Sequence, residues 1–313
     1  FMKTNSLGLN GPNVSKICFG AWPIAGGMGA IDSSQAIKTI HAAIDGGINF
    51  IDTAEGYENS ESILGKALIG KRENLILATK LSGNDHSEKH IRTAIDNSLQ
   101  ALKTDYIDLY QLHRPQSKWP ISDTIANLLK LKEEGKIRYI GISNHSISQT
   151  KEAMKYGPIQ SSQPRYNMIF QEDESANLKF CKENQIGVMP HSVLAKGLLT
   201  AKYSANHSFP NDDERKSFSF FKGELFNTIN TLVLKLDAWA KDNHKDIVQL
   251  SIAWVLSNPA VSSAIVGMKT TSQVNTALKS LEWNLSKSDL LEITNLIGST
   301  NFKWNEEWTT SLI

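Results

Sequence analysis

What this chain lacks narrows the field first. Among 313 residues there are two cysteines, Cys18 and Cys181, far apart and in no CxxC or Cys/His spacing. Neither a disulfide framework nor a zinc ribbon is indicated, and the cytoplasm is the expected compartment. No apolar run approaches the roughly 18 residues that span a bilayer, and no basic-then-apolar leader is read. Excess charge is missing too. With 33 Lys and Arg against 32 Asp and Glu, the chain has no field for gripping nucleic acid or an anionic membrane, so any basic site must be local. No GxGxxG follows the first strand candidate. Gly26-Gly27-Met28-Gly29 reads only as a flexible rim loop, which disfavours a doubly wound dinucleotide domain. No internal repeat, low-complexity tract or linker argues for a second domain.

What is present is alternation. From about residue 16, short β-branched runs alternate with longer amphipathic stretches, the pattern of a parallel sheet covered by helices. The strand candidates are 17–20, 49–52, 75–80, 106–112, 138–142, 159–163, 187–191 and 263–267. Helices are predicted over stretches such as 34–45, 88–102 and 123–134, with Ser34 and Asp123 as N-caps and Gly46 and Gly135 as stops. Eight such units predict one α/β domain over residues 1–313, a (β/α)₈ TIM barrel with extended βα loops at its C-terminal face. Residues 3–14 suit a hairpin closing the barrel bottom. The polar segment 204–222 is a lid candidate or a mobile loop.

Polar residues able to do chemistry fall at the end of strand after strand, and barrel active sites are built there. Asp52 closes the second strand and Lys80 the third. His113 follows the fourth, Ser143 and Asn144 follow the fifth, Gln163 closes the sixth and His191 the seventh. Each alone reads as a cap or surface ion pair; their coincidence at one rim does not. Tyr57 lies five residues after Asp52. A nearby ammonium lowers a phenol's pKa, so Lys80 is expected to tune Tyr57, while Asp52 pairs with Lys80 and keeps it charged. His113 can donate to a substrate oxygen beside the Tyr57 hydroxyl. Such a set serves a carbonyl oxygen becoming an alkoxide, and requires a hydride source rather than a nucleophile.

Asp52-Thr53-Ala54, Tyr57, Ser60-Glu61, Lys80, His113, Gly141-Ile142-Ser143-Asn144 and Gln163, in that order and spacing, resemble the aldo-keto reductase family over nearly the whole chain. The resemblance implies a (β/α)₈ barrel, NADP(H) extended across the mouth, and a catalytic tetrad of Asp52, Tyr57, Lys80 and His113. It implies that Ser143, Asn144 and Gln163 hold the nicotinamide carboxamide. His191 stands where an aromatic ring usually stacks on the nicotinamide, which would make cofactor affinity pH-dependent. The segment 192–202 is similar to the family's pyrophosphate cover, with Ser192, Leu194, Gly197 and Lys202 in it. Gly267, Lys269 and Gln273 resemble the adenosine 2′-phosphate segment, and Lys269 is the reason to expect NADPH over NADH. The asparagine that usually reads adenine is Ala277 here.

Trp22 and Trp119 follow strand ends and are expected to wall the pocket for a small-molecule carbonyl substrate, hydrophobic or sugar-like. Trp304 and Trp308 fall in the tail that the family folds near the mouth. Two rivals carry different tests. A cofactor-binding regulatory subunit of the same fold would bind without significant turnover. A metal-dependent hydrolase using Asp52, His113 and His191 lacks the paired carboxylates and HxH spacing it needs. No motif fixes the oligomeric state or names the substrate.

Overall fold

Short runs rich in Ile, Val and Leu, too brief for helices and buried on both faces, become the parallel strands of a closed sheet. The computed structural model describes residues 4–171 and 174–300. The strands β3 (Ile17–Gly20), β4 (Phe50–Asp52), β5 (Ile76–Leu81), β6 (Ile107–Leu112), β7 (Ile137–Ser143), β8 (Ser161–Gln163), β9 (Gly187–Val188) and β10 (Ala264–Gly267) pair in the order β10-β3-β4-β5-β6-β7-β8-β9. The two ends also join: the Ser262 N–H donates to Val188 O at 2.8 Å and the Ile265 N–H to Pro190 O at 3.0 Å. The sheet thus closes on itself, the (β/α)₈ architecture expected from the alternation.

Its bottom is plugged by an antiparallel hairpin of β1 (Thr4–Ser6) and β2 (Asn13–Ser15). Leu7 and Val14 of this hairpin are fully buried and pack with Cys18, Phe50, Ala78, Leu109 and Met189 inside the barrel. The Gln160 amide just before β8 donates to Leu7 O at 2.6 Å and locks the plug in place. The predicted hairpin is therefore present.

Outside the sheet lie α1 (Ser33–Asp45), α2 (Ser60–Ala67), α3 (Glu88–Leu102), α4 (Ile121–Glu133), α5 (Ile147–Met154), α6 (Glu174–Glu183), α7 (Gly223–Asp242), α8 (Ile247–Ser257), α9 (Thr271–Lys279) and α10 (Lys287–Gly298). Two cap assignments are corrected. Asp32, not Ser34, caps α1, because its carboxylate can accept from both the Ser34 and Gln35 N–H groups. Pro120 precedes α4 and offers no side-chain bond, which places Asp123 inside the first turn, where its charge meets the positive end of the helix dipole. The seventh predicted strand is also shortened to two residues, since Pro190 has no N–H for the ladder. Among the described residues no helix is long and apolar enough to cross a membrane.

Candidate active site

The two-residue period of a strand builds the site. Within the barrel, the layer of Phe50, Ala78 and Leu109 is apolar. Two residues further along the same strands stand Asp52, Lys80 and Gln111, with Gln163 at the end of β8. All four are at most 2% exposed. One layer thus seals the barrel and the next carries charge, with no change in backbone geometry.

Burying an ion pair is costly unless each polar atom finds a partner. Here each does. The Lys80 ammonium donates to Asp52 Oδ2 at 2.6 Å, to Thr53 O at 2.8 Å and to the Tyr57 hydroxyl oxygen at 3.3 Å. Asp52 Oδ1 accepts from the Gln111 amide at 2.8 Å and the Gln163 amide at 3.0 Å, and Gln163 also donates to Gln111 Oε1 at 2.9 Å. Room for Gln111 comes from Gly141 on the adjacent strand, where a Cβ would stand 2.9 Å from Gln111 Cγ and 2.5 Å from Ser161 Oγ. Gln111 was not among the residues singled out from sequence, although the same alternation that places Asp52 and Lys80 inward points to it.

The tetrad of Asp52, Tyr57, Lys80 and His113 is brought together. The rings of Tyr57 and His113 lie 5.6 Å apart, and Trp22 meets Tyr57 edge-on at 4.9 Å. Desolvation disfavours charge on Lys80, but Asp52 and then Tyr57 outweigh it and leave its pKa above the usual lysine value. Tyr57 reverses the expected sign. Burial raises its pKa by more than Lys80 lowers it, so the phenol lies above its ordinary value. The hydroxyl is accordingly protonated throughout the neutral range.

His113 accepts or donates a 2.8 Å bond between Nδ1 and Ser82 Oγ. Desolvation, then Lys80 and Arg114, lower its pKa to about 3, so the ring is neutral at working pH. His191 is also held neutral, by burial first and then by Arg165 and other cations. Both its nitrogens are engaged, Nδ1 with Ser192 Oγ and Nε2 with Asn144 Oδ1, each at 2.9 Å. The expected pH-dependence of cofactor affinity through His191 therefore has no titrating group behind it near neutrality.

These neutral histidines carry a stability prediction. An imidazole whose folded pKa lies below its unfolded value of about 6.5 binds fewer protons when folded. Its stability contribution is full above about pH 6.5 and is lost as pH falls toward the folded value. His113 at about 3 and the buried His86, lowered mainly by desolvation to about 4, each cost on the order of 2 kcal/mol at pH 5. Urea denaturation is expected to show a lower midpoint at pH 5 than at pH 7. Equal midpoints would mean that both rings take up protons freely in the folded chain.

From the tetrad a cleft of about 640 Å³ extends past Ser143, Asn144, Gln163 and His191 to Ser192, Leu194, Gly197 and Lys202, and on to Gly267, Lys269 and Gln273. Every residue expected from sequence at the cofactor lines it. Ser143 donates to Gln163 O at 3.0 Å, and Asn144, held at φ +58°, donates to Ser143 Oγ at 3.0 Å. The backbone runs through positive φ at Ser192, Ala195, Lys196 and Gly197. Successive turns of this kind favour outward-facing N–H groups that suit an anion. The Gln273 side-chain oxygen accepts from the Thr270 N–H at 3.3 Å in the α9 capping box and also from the Lys269 N–H at 2.6 Å.

One sequence expectation falls elsewhere. Trp119 is outside the cleft lining, and its indole donates to Asn84 O at 3.0 Å across a neighbouring loop. Ala277 is on the buried face of α9, 1% exposed, and offers no polar group to adenine. Trp304 and Trp308 lie outside the described residues. Conversely, the structure adds Glu214 and Arg215 to the lining, from the 204–222 segment whose position was open. Glu214 accepts from the Trp22 indole at 2.7 Å and Lys196 at 2.8 Å, and its N–H donates to Gly27 O at 3.0 Å. The segment is strapped to the glycine-rich rim loop across the mouth.

The model of the Aldo/keto reductase family matches residues 16–297. The chain belongs to that family. This aldo-keto reductase is 36% identical to the aldo-keto reductase YhdN of Bacillus subtilis over 96% of this chain and 95% of that protein. It is 32% identical to an NADH-specific methylglyoxal reductase of Escherichia coli, over 92% of this chain and 96% of the other. Its fold matches the glycerol dehydrogenase AKR11B4 of Gluconobacter oxydans with a TM-score of 0.87 at 29% identity, covering 97% of each chain. The reaction class follows: nicotinamide-dependent reduction of a carbonyl group, or its reverse.

Proposed function

We propose that this aldo-keto reductase reduces an aldehyde or ketone with NADPH, and that Tyr57 delivers the proton. One observation carries the reading: Lys80 donates to the Tyr57 hydroxyl oxygen, which leaves the phenolic proton to point at a substrate oxygen. Bound NADPH would supply the hydride. The remaining work falls to the chain. Tyr57, protonated by virtue of its raised pKa, gives its proton to the carbonyl oxygen as negative charge develops there. Lys80, charged because Asp52 holds it, stabilises the phenolate left behind. With Ser82 donating to Nδ1, neutral His113 carries its proton on Nε2 and offers it to the same oxygen. Trp22 walls the cleft beside them.

The lining fits the cofactor. Ser143, Asn144, Gln163 and His191 would hold the nicotinamide end, and the left-handed turns at Ser192–Gly197 with Lys202 the pyrophosphate. Gly267, Lys269 and Gln273 would hold the adenosine phosphate. Lys269 lies beside Arg215, and its ammonium donates to Met28 O at 3.1 Å and Gly29 O at 2.8 Å rather than to a carboxylate. That charge favours a 2′-phosphate. Fluorescence titration with NADPH and NADH tests the choice. Lys269→Ala is expected to weaken NADPH about tenfold and NADH by much less; equal weakening would remove the argument for NADPH. We further place the protein in the cytoplasm, a reducing compartment that suits its two buried free cysteines.

A further inference from the structure

Immediately after His113 comes Arg114, partly buried and in the lining of the same cleft. Arg72, Arg92, Arg138 and Arg215 each hold a carboxylate at 2.5 to 2.9 Å. Arg114 holds none, and among the described residues it has no hydrogen bond, ion pair or ring contact. A guanidinium that has lost part of its water without gaining a partner pays for its position, and an incoming anion would offset that cost.

The cofactor's adenosine phosphate is poorly placed to be that anion. In the ring of eight strands β6, which ends next to Arg114, is four strands from β10, which ends next to Lys269, counted in either direction. Arg114 therefore stands across the mouth from the adenosine-phosphate residues. It stands beside Tyr57 and His113 instead, close enough for its charge to act on both. The geometry points to Arg114 as the specificity-determining residue for carbonyl substrates that carry a carboxylate or phosphate group. This inference rests on the reductase reading above and adds the substrate class to it.

The test compares pairs of aldehydes alike except in charge. 4-Carboxybenzaldehyde against 4-methylbenzaldehyde probes a carboxylate, and glyceraldehyde 3-phosphate against glyceraldehyde probes a phosphate. The wild type is expected to favour the anionic member of at least one pair by about ten- to a hundredfold in kcat/KM, chiefly through KM. Arg114→Gln should bring that ratio near one, and Arg114→Lys should restore part of it. The ratio cancels any effect of the substitution common to both aldehydes. A wild-type ratio at or below one for both pairs, or a ratio unchanged in Arg114→Gln, overturns the assignment. Benzoate binding, read as quenching of tryptophan fluorescence, asks the same question without turnover. Binding at least tenfold weaker in Arg114→Gln supports the anion site even if no aldehyde is reduced, in which case only the reductase reading falls; equal binding in both proteins sinks the anion site.

Discussion

Tyr57→Phe is expected to lower kcat for aldehyde reduction by roughly 10²- to 10⁴-fold, the usual worth of a positioned general acid, and to leave the Kd for NADPH near the wild-type value. The change deletes one oxygen. That oxygen accepts from Lys80 at 3.3 Å and belongs to the tetrad rather than to the residues lining the distal cleft. The ring itself, packed edge-on between Trp22 and His113, survives as phenylalanine, so the pocket keeps its wall. A loss seen in kcat with cofactor binding intact is the signature of an interaction made in the transition state. Full turnover in the variant would move the proton donor elsewhere; His113 is not the heir, because its imidazolium, with a pKa of about 3, is not populated at neutral pH and the neutral ring's N–H is a far weaker acid.

The second large effect is on stability. Asp52→Ala should destabilise the fold by about 3–5 kcal/mol, the cost of breaking a buried ion pair by removing one partner. It strands the Lys80 ammonium, which is 0% exposed, and also leaves the Gln111 and Gln163 amides without their shared acceptor. Asp52→Asn combined with Lys80→Met removes both charges and should recover much of that stability. It should recover no activity, because nothing then holds a cation against Tyr57. Denaturation midpoints and aldehyde turnover measured on the same preparations separate the two consequences. A stable, active Asp52→Ala protein would show that the pair neither supports the barrel nor tunes the tyrosine.

How far the sequence carried the account depended on whether the information was local. The barrel strands were legible because each is a short apolar run, and the tetrad because Asp52, Lys80 and His113 lie at or just past the ends of successive strands and Tyr57 follows Asp52 in the loop. Gln111 was passed over although its place in Ile107–Leu112 obeys the same alternation, since a polar residue inside an apolar run reads as an exception rather than as the next inward layer. The direction of the Tyr57 shift was read with the wrong sign, from Lys80 alone: it is set by how much water the ring loses, which depends on Trp22 and His113 arriving from other strands. Trp22 and Trp119 both follow strands, yet one enters the cleft and the other turns to Asn84, a choice made by loop packing. The bridge between Met28 and Asp213 joins segments far apart in the chain, so the strap over the mouth had no local signature.

The most direct measurement is a single turnover. The purified protein, loaded with a stoichiometric amount of NADPH, is mixed rapidly with an excess of a simple aldehyde while absorbance in the reduced-nicotinamide band is followed. The account predicts a decay whose amplitude matches the bound cofactor, with the alcohol formed in equal amount and the phase slowed strongly in Tyr57→Phe. A bound cofactor whose absorbance persists through a broad panel of neutral and anionic aldehydes would contradict it, and would leave a chain that holds the cofactor without using it.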